Sequence, residues 1–191
     1  MKAQVILPPA LEPVSLTTLK SHLRLTHNSD DNILTHFITL AREWLEQKYG
    51  LALITQQWRF EYDLPFPSQG VDLKKRPVQE VNAFNLIDTA GVERLIASST
   101  YLTTHDYKGT KVVLREGIAP KMNEEKFALT LTLGYGDLEE AVPAALKQAI
   151  ILIATAFYEG RLSETTQQQS IDTLSGLKLL MAPYVQKRLH T

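Results

Sequence analysis

The sequence has no cysteine among its 191 residues. This absence excludes disulfide bonds, thiolate zinc sites and cysteine nucleophiles, and it fits a reducing compartment. The net charge is also close to zero, at −1, so the overall charge of the chain does not favour binding to nucleic acid. The apolar run at residues 149–158 is about half the length that crosses a bilayer, and the amino terminus lacks a secretory signal. We expect a soluble, cytoplasmic protein without a membrane partner.

Signatures of an active site are missing as well. The pair His22 and His27 does not have the spacing of metal ligands on one helix. His105 and Asp106 have neither a serine elbow nor a third partner. The segment Gly134-Tyr135-Gly136 lacks the glycine spacing that cradles phosphate. We therefore assign no catalytic, cofactor-binding or metal-binding residue and expect no cofactor.

The apolar run at residues 149–158 is the densest concentration of burial energy in the chain. It predicts a helix over about 143–159, because Pro143 suits a first helical turn, acids within residues 137–140 lie just ahead, and Gly160 suits a C′ stop. A helix that is apolar all round is expected to be buried on every side. In a chain this small, neighbouring subunits are expected to supply part of that burial.

The first 50 residues predict an arm and a helix pair. Three prolines favour an extended arm over residues 1–14 rather than a packed element. Ser15 is placed as the N-cap of a short helix over about 16–25. A second helix is predicted over about 31–49, where apolar residues recur at helical spacing and Gly50 follows as a C′ glycine.

In residues 53–133 the hydrophobic pattern changes from the period of a helix to the two-residue period of a β-strand. Trp58, Phe60 and Tyr62 alternate with polar residues, which predicts a strand with one aromatic and one wet face. Further strands are expected at 71–73, in a hairpin of 81–87 and 92–96, at 101–102 and 111–115 as a continuation of that hairpin, and at 127–133. The order of helices, strands and helices predicts an α+β fold: a mostly helical body with a central antiparallel β region.

The carboxyl-terminal part of the chain differs in composition from the rest. Residues 163–170 are polar and indicate a linker or loop, and a short amphipathic helix that Pro183 ends follows at 174–184. No acid occurs after Asp172. We therefore predict a body at 1–162 and a linker with a docking segment at 163–191. Three apolar side chains of that segment are expected to be exposed: Leu177, Leu180 and Met181.

Several short motifs occur in an order that resembles the head-tail connector proteins (adaptor or head-completion proteins) of long-tailed bacteriophages and prophages. The amino-terminal half contributes residues 8–16, 19–24, 30–31, 41–44, 53–58 and 75–81. The second half contributes Gly134-Tyr135-Gly136, Val142-Pro143, Gln148-Ala149-Ile150, Tyr158-Glu159-Gly160-Arg161 and Leu179-Leu180-Met181-Ala182-Pro183-Tyr184. The specificity lies in the order and spacing of these motifs together, which cover nearly the whole chain.

The resemblance implies a structural subunit of the virion that is present in the host cytoplasm during assembly and is not an enzyme. The family resemblance also implies a ring, commonly of about twelve subunits, which is the form that head-to-tail interfaces take when the rotation between neighbours closes. The ring would dock beneath the portal protein and receive a further connector, a stopper or the tail. DNA would pass through it without sequence-specific binding.

Two groups of residues are candidates for contacts in such an assembly. The portal-facing group is Leu177, Leu180, Met181, Tyr184, Lys187 and Arg188. The basic run Lys74, Lys75 and Arg76 is placed on a loop that faces the channel or the tail. Deleting residues 171–191 is expected to leave a folded chain that no longer binds portal.

Two other classes of function stay open at this level. A small nucleic-acid-binding module would use Lys74, Lys75 and Arg76 for phosphate and the aromatic strand for base stacking. An enzyme with an unrecognised site would show a deep pocket lined by two or more titratable groups.

Overall fold

The computed structural model describes residues 1–106, 109–115, 123–162 and 175–185. Contacts within the chain divide it into two compact units. The β-rich unit comprises Met1–Ala10 and Thr55–Tyr135, and the helical unit comprises Leu11–Ile54 and Gly136–Thr191. Helices flank an antiparallel β region in the chain order. The predicted α+β class is thus confirmed.

The described strands of the β-rich unit form two sheets. In chain order the strands are β1 (Lys2–Leu7), β2 (Gln56–Asp63), β3 (Val71–Asp72), β4 (Val78–Asp88), β5 (Glu93–Leu95), β6 (Tyr101–Asp106), β7 (Gly109–Leu114) and β8 (Glu124–Leu133). The 5-stranded sheet has the order β1-β2-β8-β4-β5, and the 3-stranded sheet has the order β3-β7-β6. All pairings between these described strands are antiparallel.

Strand β8 lies at the centre of the larger sheet, between β2 and β4. Its apolar residues Phe127, Leu129, Leu131 and Leu133 are all buried, whereas Thr130 and Thr132 are half-buried. Alternation with a period of two sends successive side chains to opposite faces, which is why this sequence forms a strand with one core face. The strand predicted over 127–133 is therefore confirmed, although it begins three residues earlier, at Glu124.

An aromatic cluster forms the core of the β-rich unit. The Phe127 ring lies 4.9 Å from Tyr62, 5.0 Å from Phe66 and 5.9 Å from Phe84, between ring centroids. Phe84 also contacts Tyr101 of the smaller sheet at 5.6 Å. Offset-stacked and edge-to-face pairs at these distances add about 0.5–1.5 kcal/mol each beyond the burial of their area. The cluster therefore joins the two sheets of this unit.

Tyr62, one member of the aromatic cluster, carries a buried hydroxyl without a hydrogen-bond partner among the described residues. Burial raises the pKa of this hydroxyl to about 12. We expect Tyr62→Phe to keep or increase the free energy of unfolding at pH 7, because a buried unpaired hydroxyl carries a desolvation cost. Urea unfolding of both proteins at pH 7 measures this.

The raised pKa of Tyr62 gives this variant a second, pH-dependent readout. The folded chain holds the phenol proton more tightly than the unfolded chain, so the wild-type protein loses stability as the pH rises from about 10 to about 12. Tyr62→Phe should lose less over this interval, while Tyr49 and Tyr101, whose pKa values burial also raises, retain part of the loss. A variant that is several kcal/mol less stable at pH 7 would contradict this account of Tyr62.

The predicted hairpin is present as β4 and β5. The Asp88 carboxylate accepts hydrogen bonds from the backbone N–H groups of Ala90 (2.9 Å) and Val92 (2.8 Å). Gly91 adopts a φ of 81°, which favours glycine at this turn. The expectation that the strands near 101–102 and 111–115 continue this hairpin was wrong: β6 and β7 pair with each other, and β7 pairs with β3, in the second sheet.

The amino-terminal residues are extended, as predicted, but they are part of a sheet. Strand β1 pairs with β2 from Lys2 opposite Glu61 to Leu7 opposite Gln57, with an irregular register between Val5 and Leu7. The expectation of an unpacked arm was therefore wrong for residues 2–7. Alternation could not reveal this strand, because all six of its side chains are exposed.

The helical unit contains α1 (Leu16–Leu23), α2 (Asp31–Tyr49), α3 (Ala144–Leu162) and α4 (Ser175–Met181) among its described residues. The Ser15 hydroxyl accepts a hydrogen bond from the Thr18 N–H at 3.2 Å and caps α1, as predicted. Helix α2 has the predicted bounds, and Gly50 follows it with a φ of 63°. Among the described helices, none is both long and apolar enough to cross a membrane.

Helix α3 contacts α1, α2 and α4 within this unit. Its inner side, including Leu146, Ile150 and Ile153, is fully buried. Leu152 and Phe157 are only half-buried, so a single chain does not bury this helix on every side. Half-buried apolar residues on this helix are compatible with further burial by a neighbouring subunit.

The predicted ends of this helix also need correction. Gly160 lies within α3, which runs on to Leu162, because a helix tolerates a glycine near its end at a cost of about 1 kcal/mol relative to alanine. Glu139 and Glu140 belong to a short 3-10 turn that precedes the helix, and its first turn contains no acid. The helical hydrogen bonds begin at the Pro143 carbonyl, which accepts from the N–H groups of Leu146 and Lys147.

Candidate functional site

The basic run lies on the loop between β3 and β4 in the β-rich unit. Lys74 is exposed, whereas Lys75 and Arg76 are half-buried. The Lys75 ammonium lies over the Trp58 ring, 4.1 Å from its centroid. A cation–π contact of this kind stabilises a partly exposed site by about 0.5–1 kcal/mol. Of the three side chains, only Lys74 projects fully into solvent.

The aromatic strand does not offer an open stacking surface. Trp58 stacks on Phe60 with ring centroids 5.9 Å apart, and its indole N–H donates to the Gln56 Oε1 at 2.7 Å. Phe60 itself is buried. The Lys75 ammonium and the Phe60 ring both contact the Trp58 ring. A nucleic-acid base would have to displace one of these contacts before it could stack on Trp58. The geometry therefore disfavours the nucleic-acid-binding alternative.

Of the candidate portal-facing residues that the structure describes, two are buried in the helical unit and two are half-buried at its surface. Leu177 and Met181, which lie four residues apart on α4, are buried, so the expectation that they are exposed was wrong. Helix α4 contacts α3. Leu180 and Tyr184 are half-buried, and Leu179 is 78% exposed. Lys187 and Arg188 lie outside the described residues.

This packing changes the expected effect of removing the carboxyl terminus. Deleting residues 171–191 would remove α4 and uncover the apolar surface against which Leu177 and Met181 pack. Exposing that surface costs about 25 cal/mol for each Å². A deletion intended to leave the fold intact should therefore begin after residue 185.

The helical unit contains a buried ionic cluster of Arg42, Glu12 and Glu46, which was not predicted from the sequence. Arg42 donates to both carboxylate oxygens of Glu12, at 2.8 Å and 3.3 Å, and to Glu46 at 3.1 Å. Glu46 also accepts a hydrogen bond from the Leu53 N–H at 2.8 Å, and Thr39 donates to Glu12 at 2.9 Å. The cluster fixes the chain before α1 and the chain after α2 against α2.

Burial and charge act in opposite directions on this arginine. Burial of Arg42 lowers its pKa, but the hydrogen bond to Glu12 and the charges of Glu46 and Glu12 outweigh burial, so the pKa is raised. The arginine therefore stays charged inside the unit. The i,i+4 spacing of Arg42 and Glu46 was the available sequence signal. Glu12 could not be identified in this way, because it is 30 residues from Arg42.

A second set of ion pairs lies on the larger sheet. Glu93 accepts hydrogen bonds from Arg59 and Asn85, and Arg94 binds both oxygens of Glu124. Burial opposes the ionisation of Glu93, but the hydrogen bonds from Arg59 and Asn85 prevail and lower its pKa. The Arg59–Glu93 pair joins β2 to β5, and the Arg94–Glu124 pair joins β5 to β8, so each pair reaches across at least one intervening strand. Both carboxylates are therefore already engaged by structural ion pairs of this sheet.

Titratable side chains line one open pocket of about 320 Å³ on the larger sheet, among them Arg59, Glu61, Asp88 and Glu93. The candidates named from the sequence lie on other elements. His105 and Asp106 lie at the end of β6, opposite Thr110 and Gly109 of β7. Within the described part of the chain, no three histidine, aspartate or glutamate side chains come together in a way that would hold a metal. The surfaces that the structure makes conspicuous are instead exposed sheet edges, the Lys74 loop and the outer side of α4.

Comparisons with known proteins show what this α+β chain is similar to. The family model "Phage gp6-like head-tail connector protein" matches residues 13–101. This match confirms the resemblance to head-tail connector proteins drawn from the sequence motifs. Among curated proteins, no sequence matches this chain significantly.

Solved structures show the same fold over the whole chain. A chain in the neck of an empty gene transfer agent (GTA) particle, computed with C6 symmetry, has a TM-score of 0.83 and 22% identity, covering 100% of this chain and 98% of that chain. A chain of the virion of a native GTA particle has a TM-score of 0.80 and 23% identity, covering 100% and 98%. A third, from a native GTA neck computed with C12 symmetry, has a TM-score of 0.77 and 22% identity, covering 98% and 97%.

Proposed function

We propose that this protein is a structural subunit that joins the head of a phage or phage-like particle to its tail. The observation that carries the proposal is the match of residues 13–101 to the head-tail connector family model. The likeness to GTA neck and virion chains supports it, because it extends over the whole chain. The role is structural, in the virion, and the protein is made in the host cytoplasm before it joins the particle.

The same comparisons support a homo-oligomeric ring. The neck structures that contain similar chains were computed with C6 and C12 symmetry. A ring arises when each subunit presents two different, complementary surfaces and the rotation between neighbours closes. We place twelve copies in the ring, as the resemblance to the family implies, with DNA passing through its centre.

Charge suits a ring of this kind. A protein that neutralises several phosphates binds DNA in a strongly salt-dependent way, and each added contact strengthens its hold. The net charge is −1, and of the basic run only Lys74 is exposed, while the Lys75 ammonium lies over the Trp58 ring. We place this loop toward the channel or the tail-side partner, where Lys74 can contact phosphate without retaining DNA.

We place the portal contact at the carboxyl terminus. Lys187 and Arg188 carry positive charge in a segment without acids. The outer side of α4 presents Leu179 and Leu180 at least partly to solvent, and so does Tyr184 in the 3-10 turn that follows α4. Leu177 and Met181 support this surface from within rather than contact the partner. A further connector, a stopper or the tail would bind elsewhere on the ring.

Removing the terminal residues tests this placement. Deleting residues 186–191 should leave the urea midpoint of the chain unchanged, because α4 and its buried side chains remain. It should weaken binding to the portal protein from the same genome by at least about tenfold, which corresponds to about 1.4 kcal/mol. Binding can be measured by biolayer interferometry with immobilised portal.

A matched pair of variants separates charge from length. Lys187→Glu with Arg188→Glu should weaken portal binding as the deletion does, whereas the charge-preserving swap of Lys187→Arg with Arg188→Lys should bind nearly as the wild type. Unimpaired portal binding by both the deletion and the charge reversal would refute the placement of the contact at residues 186–191.

A further inference from the structure

The larger sheet of the β-rich unit has two open edges among the described residues, at β1 and at β5. Every side chain of β1 is exposed, including Val5 at 40% and Ile6 at 49%. At the other edge, Leu95 is 68% exposed and Val92, just before β5, is 64% exposed. An edge strand presents a row of unpaired N–H and C=O groups, and an apolar edge is a site for pairing with another strand.

The direction of the strands determines how two such edges can meet. Each neighbouring pair in the order β1-β2-β8-β4-β5 is antiparallel, so β1 and β5 run in the same direction. A ring rotation brings two different surfaces of neighbouring copies together. It therefore places β1 of one copy parallel to β5 of the next. A two-fold axis would instead pair β1 with β1 in antiparallel fashion and give a closed dimer.

We propose that β1 of one copy of this chain pairs in parallel with β5 of the next copy, so that the sheet continues across the subunit boundary. This inference rests on the proposed ring and names the surfaces that join its subunits. The partner is a second copy because the chain itself supplies both halves of the contact: two open edges of matching direction, each with exposed apolar side chains.

Length agrees with this pairing. The regular part of β1 covers Lys2 to Val5, before the irregular register at Ile6, and β5 contains 3 residues. Placing Val5 opposite Leu95 puts Ala3 opposite Glu93, whose carboxylate is already bound by Arg59 and Asn85. The contact therefore rests on the backbone edges and their exposed apolar side chains rather than on charge.

The absence of cysteine makes the proposal directly testable by cross-linking. Val5 and Leu95 lie on opposite edge strands of the sheet in one copy. A link within one chain leaves the mass of that chain unchanged, whereas a link between copies gives a covalent multimer. The double variant Val5→Cys with Leu95→Cys therefore reports contact between the edges of neighbouring copies as multimers on a non-reducing gel.

We expect this double variant, treated with a mild oxidant or a short bis-maleimide, to give a ladder of covalent multimers on a non-reducing gel. Each single variant should give no ladder, and a mixture of the two single variants should stop at covalent dimers. A control with Thr17→Cys and Leu95→Cys, which replaces the β1 position by an exposed residue of the helical unit, should also give no ladder.

The other outcomes are distinguishable. Covalent dimers from Val5→Cys alone would show β1 pairing with β1 and would overturn the proposal. A double variant that assembles into rings by mass but yields no ladder would overturn the edge contact while the ring itself stands. A double variant that stays monomeric at every concentration would contradict both, because these edges then do not bind each other.

Discussion

Arg42→Ala should lower the free energy of unfolding by about 3–5 kcal/mol, because removing one partner of a buried ion pair leaves the other charge uncompensated. Arg42 is 7% exposed and Glu46 is 4% exposed. Without the guanidinium, Glu46 keeps the hydrogen bond from the Leu53 N–H, and Glu12 loses both of its hydrogen bonds from Arg42. Urea denaturation followed by far-UV circular dichroism measures the loss.

Two further variants test whether the loss comes from the stranded charge. Glu43→Ala removes a carboxylate that is 61% exposed and 3.7 Å from Arg42, and it should change stability by less than about 0.5 kcal/mol. Arg42→Met combined with Glu46→Gln should be more stable than Arg42→Ala, because no full charge remains buried at Glu46. A loss below about 1 kcal/mol for Arg42→Ala would contradict the role given to this cluster.

Phe127→Ala should destabilise the chain by about 3–5 kcal/mol. The ring is 1% exposed and contacts the rings of Tyr62, Phe66 and Phe84. Its removal leaves a cavity at the centre of the sheet, where β8 is held by a strand on each side and cannot easily collapse into the space. The shift in urea midpoint at an unchanged m-value measures this effect.

The opposite face of the same strand offers the matched control. Thr130→Ala changes a half-buried residue of β8 and should cost less than about 1 kcal/mol. Phe127→Leu should fall between the two, because leucine retains much of the apolar surface but not the ring contacts. If Phe127→Ala and Thr130→Ala destabilised the chain equally, the aromatic cluster would not be the core of this unit.

Local periodicity explains why much of the fold could be predicted from the sequence. The bounds of α2 and the inward face of β8 follow from apolar residues repeated at helical or alternating spacing, which needs no knowledge of distant contacts. The hairpin of β4 and β5 follows in the same way from turn residues around Gly91. Each of these features is encoded within a few consecutive residues.

Features that depend on distant partners could not be predicted in this way. Strand β1 exposes all of its side chains, so only its pairing with β2, more than fifty residues later, reveals it as a strand. Leu177 and Met181 have the spacing of one helix face, but whether that face is buried depends on α3. The Arg42 cluster likewise depends on Glu12, whose contact with α2 is set by the fold.

The mass of the purified full-length chain, measured over a concentration series with and without the portal protein of the same genome, tests the central claim most directly. The proposed function predicts a discrete ring-sized species, of about twelve copies, that portal stabilises. A chain that stays monomeric at every concentration and forms no complex with portal would contradict it.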